Sequence, residues 1–142
     1  MIELKKAVKF VIGLAVIGAT LLLYLNSGGN TGKVNRRVGY TENFSEDDII
    51  AAMDEVEKKF RQKYKGCILT DLWYDEFYND RMSEEWKEQY GADEAIVLLS
   101  NYGVDEAGGD GSLNPDETYS NWQWILVRSG QGSWKLKTWG YG

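Results

Sequence analysis

The C-terminal segment 121–141 reads NWQWILVRSGQGSWKLKTWGY and predicts a β-hairpin. Two runs rich in Trp, Val, Ile and Leu, with apolar residues at alternate positions, flank a short glycine-bearing turn. Bulky side chains share one face of each predicted strand: Trp122, Trp124 and Leu126 on the first, Trp134, Leu136 and Thr138 on the second. The upstream chain must supply the elements that cover this apolar surface.

Composition limits the chemistry that the chain can perform. The chain has 142 residues, a formal net charge of −6 and no histidine. An acidic surface repels phosphate backbones, so we expect no nucleic-acid partner. Without histidine the chain lacks the usual general base at neutral pH. Cys67 is the only cysteine, so neither a disulfide within the chain nor a thiolate zinc cluster can form. We therefore predict no catalytic residue and no cofactor.

Residues 1–25 have the features of a signal peptide or a signal-anchor helix. Three lysines, Lys5, Lys6 and Lys9, precede the uncharged run Phe10–Leu25. The run is shorter than the roughly 20 residues of a typical spanning helix. No convincing cleavage site follows it, which favours an uncleaved transmembrane anchor with the C-terminal domain outside the cytoplasm. Cleavage would instead give a secreted protein.

The rest of the chain is interpreted as a linker followed by one domain. Residues 26–43 are rich in glycine and polar side chains and predict a flexible linker. Residues 44–142 form the domain, which begins with a helix capped by Ser45 and running to Lys65. Its apolar stripe is Ile49, Met53, Val56, Phe60 and Tyr64.

The remaining patterns predict strands and one short helix. A strand from Cys67 to Glu76 comes first, followed by a helix from Ser83 to Tyr90 that Gly91 ends. A continuously apolar strand follows at 94–102, then a long loop at 104–120 and the terminal hairpin. The sequence therefore predicts an α+β fold in which a long N-terminal helix packs on a curved, mainly antiparallel four-stranded sheet.

The domain resembles a known fold group in several segments. The segments are the amphipathic helix, Gly66–Thr70 with Leu72–Tyr74, Ala92–Leu98, Gly108–Asn114 and Trp122–Trp124. They are similar to uncharacterised secreted or membrane-anchored proteins of Gram-positive bacteria with a cystatin-like, nuclear-transport-factor-2-like domain. The resemblance covers residues 44–142 and implies that fold, which hosts isomerases, dehydratases, binding modules and immunity proteins alike. Enzymes of the group typically place an Asp-His pair in the cone, and this chain has no histidine.

The loop at 104–120 is a candidate metal site. Its oxygen-bearing side chains are Asp105, Asp110, Asn114 and Asp116, which are hard ligands suited to calcium. Their spacing does not match an EF-hand. Glycine and aspartate also favour turns, and this is the alternative explanation of the same residues.

Carboxylates next to aromatic rings suggest a second candidate site. Asp71, Asp75 and Glu76 alternate with Trp73 and Tyr74, and such a pair can hydrolyse glycosides if one pKa is raised. A solvent-facing strand edge explains the same pattern. An enzyme of this fold group would use a carboxylate such as Asp71 or Glu94 as its base.

Aromatic residues are the third candidate, since six Trp and nine Tyr exceed the needs of a small core. Alternation puts Trp139 and Tyr141 on the face opposite Trp134 and Leu136, where they are available for contact. The predicted binding residues are Trp73, Trp122, Trp124, Trp139 and Tyr141. The leading hypothesis is a non-enzymatic binding or sensor module, tethered to the membrane and facing outward. The alternatives are an enzyme with a small pocket and an inhibitory or structural partner of another membrane protein.

Overall fold

The computed structural model describes residues 28–142, which form an α+β domain with two helices and five strands. The helices are α1, Glu46–Lys63, and α2, Glu76–Tyr90. The strands are β1, Asn35–Arg37; β2, Cys67–Tyr74; β3, Glu94–Val104; β4, Thr118–Arg128; and β5, Lys135–Gly140. The predicted signal or anchor segment, 1–25, lies outside the described residues. Within residues 28–142, no helix combines the length and apolar character needed to cross a membrane.

The sheet is open and mixed, with the strands in the order β1-β2-β3-β4-β5. The strands β2 to β5 pair antiparallel, while β1 pairs parallel to β2 with Arg36 opposite Leu72. The prediction of four strands is therefore wrong for this part of the chain. The fifth strand lies in the segment predicted to be a linker, and Asn30 also bonds to the backbone of Cys67 and Leu69. The strand was not predicted because its residues are polar and show no alternation of apolar side chains.

Helix α1 packs its apolar stripe on one face of the sheet. The Ser45 hydroxyl accepts a hydrogen bond from the Asp48 N–H at 3.1 Å, as expected of an N-cap. The predicted stripe is buried, with Ile49, Met53, Val56 and Phe60 inaccessible to solvent. The helix ends at Lys63 rather than Lys65, with Tyr64 as its C-cap.

Helix α2 covers the other face of the sheet and is longer than the sequence predicted. Its N-cap is Asp75, whose carboxylate accepts from the Tyr78 N–H at 3.0 Å, so Ser83 lies inside the helix. Gly91 ends it in the left-handed conformation, with φ 58°, as predicted. Asn79 accepts a bond from the Val97 N–H at 3.0 Å, a donor that β2 leaves free by ending at Tyr74.

A β-bulge in β5 changes which face its side chains occupy. Leu136 lies opposite Leu126, but Thr138 lies opposite Ile125, so Lys137 is an extra residue in the ladder. Trp139 consequently pairs with Trp124, and the two rings are 5.9 Å apart. The prediction that Trp139 lies on the face opposite Leu136 is wrong, because the bulge interrupts the two-residue alternation. The side chains of Trp124 and Trp139 both face α1.

Candidate functional site

A pocket of about 260 Å³ opens between the end of α1, the β3–β4 loop and the end of the sheet. We call it the aromatic pocket. Its lining is mainly aromatic and its rim polar: Tyr64, Tyr102, Trp122, Trp139 and Leu113 with Lys63, Lys65, Asp110 and Ser112. Concave, largely apolar sites with a few polar groups are typical of small-molecule binding.

The aromatic lining is held in place by ring contacts and two hydrogen bonds. Tyr64 donates its backbone N–H to the Phe60 carbonyl at 3.0 Å and stacks on the Phe60 ring at 4.7 Å. The Tyr102 ring packs edge-on against Tyr64 at 5.3 Å and against Trp122 at 5.6 Å. The indole N–H of Trp122 donates to the Tyr64 hydroxyl at 3.2 Å. The lining is therefore preorganised.

The hydroxyl of Tyr102 is buried but has no hydrogen-bond partner among residues 28–142. Among residues 28–142, the other buried side-chain nitrogen or oxygen without a hydrogen-bond partner is Oε1 of Gln123, on the opposite face of the sheet. Burial raises the pKa of Tyr102 and of Tyr64 well above the usual value of a phenol, so both hydroxyls stay protonated. A buried polar group without a partner is costly, so this hydroxyl of a pocket-lining residue is an unfilled hydrogen-bond position.

The rim of the aromatic pocket carries an excess of positive charge. Lys63 and Lys65 are exposed, and neither forms an ion pair with any of residues 28–142. Asp110 is the one acid in the lining, and its Oδ1 accepts bonds from the Ser112 N–H at 3.0 Å and the Ser112 hydroxyl. These bonds from Ser112, with the field of Lys65, lower the pKa of Asp110. The rim thus combines two lysines that have no ion-pair partner in the described part of the chain with one internally bonded carboxylate.

The predicted binding residues lie in three places. Trp122 and Trp139 line the aromatic pocket, and Tyr141 lies beside it with its ring 5.0 Å from that of Trp122. Trp139 and Tyr141 are 38% and 62% exposed, so they are available for contact. Trp124 is fully buried beneath Trp139. Trp73 lies apart on β2, under the guanidinium of Arg37 at 5.0 Å.

The carboxylates of the acidic loop accept hydrogen bonds from the loop itself. Asp105 Oδ1 accepts from the Gly109 N–H at 2.8 Å and the Ala107 N–H at 3.2 Å. Asn114 and Asp116 are exposed, and Asp116 has a positive φ of 58°. In the described part of the chain, no three acidic or cysteine side chains converge as metal ligands. The calcium site at Asp105, Asp110, Asn114 and Asp116 stays a prediction.

The candidate carboxylate bases are each bound to an arginine. Asp71 is 3.0 Å from Arg37, and Glu94 is 2.9 Å from Arg128. Desolvation opposes the charge of Asp71, but bonds from Asn101, Thr70 and Arg37 lower its pKa overall. Neither carboxylate lines the aromatic pocket. Glu94 instead borders a separate polar depression of about 300 Å³.

Two residues that complete the aromatic pocket were not among the predicted binding residues. Tyr64 is the last member of the apolar stripe of α1, and Tyr102 ends the apolar run predicted for β3. Both patterns indicate burial, which is correct, but neither indicates the hydrogen-bond state of the hydroxyl. The signal available in the sequence was the polar tip of a tyrosine at the end of each apolar pattern.

In comparisons with known proteins, no family model, curated protein or solved structure matches this chain.

Proposed function

We propose that the protein is a non-catalytic binding module that takes up a small, mainly apolar molecule in the aromatic pocket. The observation that carries this proposal is a pocket of about 260 Å³ with four aromatic side chains in its lining. That volume suits a molecule of one or two rings. The ring contacts among Tyr64, Tyr102 and Trp122 fix the pocket before a ligand arrives, which reduces the entropy cost of binding.

The first experiment tests uptake of a two-ring aromatic probe by the full chain. We expect 1-naphthoate to bind to the protein in lipid nanodiscs, as measured by calorimetry against empty nanodiscs. Ser112→Phe places a ring at the pocket rim and should abolish binding. Gln131→Phe adds the same ring in the exposed β4–β5 turn, away from the pocket, and should leave binding unchanged. Equal binding by both variants would locate the probe elsewhere and reject the proposal.

The enzyme alternative rests on Asp71 or Glu94 as a base. Desolvation raises the pKa of Asp71, but hydrogen bonds from Asn101, Thr70 and Arg37 lower it overall, which makes Asp71 a weak base. Glu94 is bound to Arg128 at 2.9 Å. Both groups also lie outside the aromatic pocket. We therefore assign neither a catalytic role.

A role as an inhibitory or structural partner of another membrane protein is the other alternative. The exposed rings of Trp139 and Tyr141 favour it, because aromatic side chains are enriched in protein contact surfaces. Tyr141 is not part of the pocket lining. Tyr141→Ala should therefore reduce association with a protein partner while leaving naphthoate uptake intact, which separates the two functions.

We further propose that residues 1–25 tether this module to the outer face of a cell membrane and that the domain has the cystatin-like arrangement. The composition of Phe10–Leu25 supports the tether. The packing of α1 across the antiparallel strands β2 to β5 supports the arrangement, although the parallel β1 and the second helix depart from it. Retention of the full chain in membranes after alkaline carbonate washing, and its release on deletion of residues 1–25, is the expected result. Release of the full chain would exclude the anchor.

A further inference from the structure

Two tyrosine hydroxyls of the aromatic pocket are donors without acceptors among the described residues. The Tyr102 hydroxyl is buried and has no partner within residues 28–142. The Tyr64 hydroxyl accepts from Trp122, and its own hydrogen bonds to no acceptor among the described residues. Because both groups are protonated phenols, each has one hydrogen to donate. The missing partner is therefore an acceptor.

The charge at the rim selects among ligands that carry an acceptor. Lys63 and Lys65 lie within two residues of each other at the end of α1 and both line the pocket. They favour an anion and repel a cation, although the aromatic walls alone would accept a cation. Asp110 is the opposing charge, and its carboxylate is engaged by Ser112 and lies in the field of Lys65. The balance at the rim is therefore positive.

Building on the binding function proposed above, we propose that the natural ligand class of the aromatic pocket is small aromatic carboxylates. The ring system would pack against Trp122, Trp139 and Leu113. The carboxylate would accept hydrogen bonds from the tyrosine hydroxyls and face the two lysines. Hydrogen bonds between a charged and a neutral group are stronger than neutral pairs, so this geometry discriminates by charge.

The test compares three probes that share one ring system: 1-naphthoate, its neutral amide 1-naphthamide, and the cation 1-naphthylmethylammonium. We expect the full chain in lipid nanodiscs to bind the naphthoate about tenfold or more tighter than the amide, and the cation weakest. Lys63→Gln with Lys65→Gln should remove most of this preference. Lys33→Gln with Lys58→Gln removes the same charge at exposed positions outside the pocket and should preserve it.

Tyr102→Phe tests the acceptor role independently of charge. We expect this variant to bind naphthoate several-fold more weakly while its affinity for a ring without a polar group, naphthalene, stays unchanged. Near-ultraviolet circular dichroism reports whether the aromatic packing is preserved.

The outcomes separate the two proposals. Tighter or equal binding of the amide or the cation would overturn the carboxylate class and leave the pocket as a binding site. An unchanged naphthoate affinity in Tyr102→Phe would also overturn it. If neither naphthalene nor any of the three derivatives binds to the folded protein, the proposed binding function fails as well.

Discussion

Tyr74 and Tyr102 are both buried in the core, but only one of the two hydroxyls has a hydrogen-bond partner in the described part of the chain. The Tyr74 hydroxyl donates to Glu76 Oε2 at 2.6 Å, and the Tyr102 hydroxyl donates to no described residue. Glu76 is itself buried, and its other oxygen accepts from the backbone N–H groups of Glu42 and Asn43. The same chemical group therefore contributes oppositely to stability at the two positions.

We expect the two tyrosine to phenylalanine substitutions to shift the free energy of unfolding in opposite directions. Tyr102→Phe removes an unpaired buried hydroxyl and should raise the free energy of unfolding by about 1 kcal/mol. Tyr74→Phe removes the hydroxyl that donates to Oε2 of the buried Glu76 and should lower the free energy of unfolding by about 1–3 kcal/mol. Urea unfolding followed by tryptophan fluorescence measures both. A destabilised Tyr102→Phe would mean that its hydroxyl is hydrogen-bonded in solution.

At the scale of elements, helix α2 depends on a cap that the sequence pattern did not identify. The Asp75 carboxylate binds the Tyr78 N–H, while Ser83 lies two turns further along. The segment between them has no apolar stripe, since its buried side chains are the polar Glu76 and Asn79. Apolar periodicity therefore predicted only the second half of the helix.

The two candidate caps of α2 can be compared directly. Asp75→Ala should lower the free energy of unfolding by about 1 kcal/mol, because the first turn loses its acceptor. Ser83→Ala should leave stability unchanged or slightly raised, because alanine is the better helix former in a helix interior. Thermal or urea unfolding of both variants measures the difference. A larger loss from Ser83→Ala would favour the shorter helix that begins at Ser83.

Sequence patterns predicted α1 well and the strand details less well, for physical reasons. Helix α1 combines a capping serine with a regular apolar stripe, and both signals are local. Strand β1 has no such signal, because Arg36 and Arg37 are held in it by distant acids, Glu57 and Asp71. These partners are known only once the chain is folded.

Only part of the aromatic pocket could be predicted from the sequence. Trp122 and Trp139 stand out by composition, but the face that Trp139 occupies depends on the bulge at Lys137. The alternation of side chains along a strand does not show where an extra residue is inserted. The unpaired hydroxyl of Tyr102 is a property of packing among α1, β3 and β4, so it cannot be read from local sequence.

On the scale of the whole molecule, the segment before α1 is part of the folded domain and does not serve only as a linker. Arg36 reaches from β1 to α1, where its guanidinium binds Asp54 at 2.8 Å and also binds Glu57. Glu57 is 7% exposed, and removing one partner of a buried ion pair destabilises a fold. Asn30 adds backbone hydrogen bonds to the edge of β2.

A chain that begins at residue 40 should therefore be less stable than one that begins at residue 28. We expect the shorter chain to lose about 2–3 kcal/mol in free energy of unfolding, because Glu57 loses its main partner and the edge of β2 is uncovered. Arg36→Gln in the longer chain should account for part of this loss. Equal urea midpoints for the two chains would show that β1 contributes nothing to the domain.

The bulge in β5 has a consequence for solubility. Strand β5 is the last strand of the sheet, so its outer backbone groups could recruit another strand. Its exposed lysines, Lys135 and Lys137, and its irregular register are the features by which natural sheets block such recruitment. The extra residue that turns Trp139 toward the aromatic pocket therefore also protects the domain from growing, strand by strand, into a fibril.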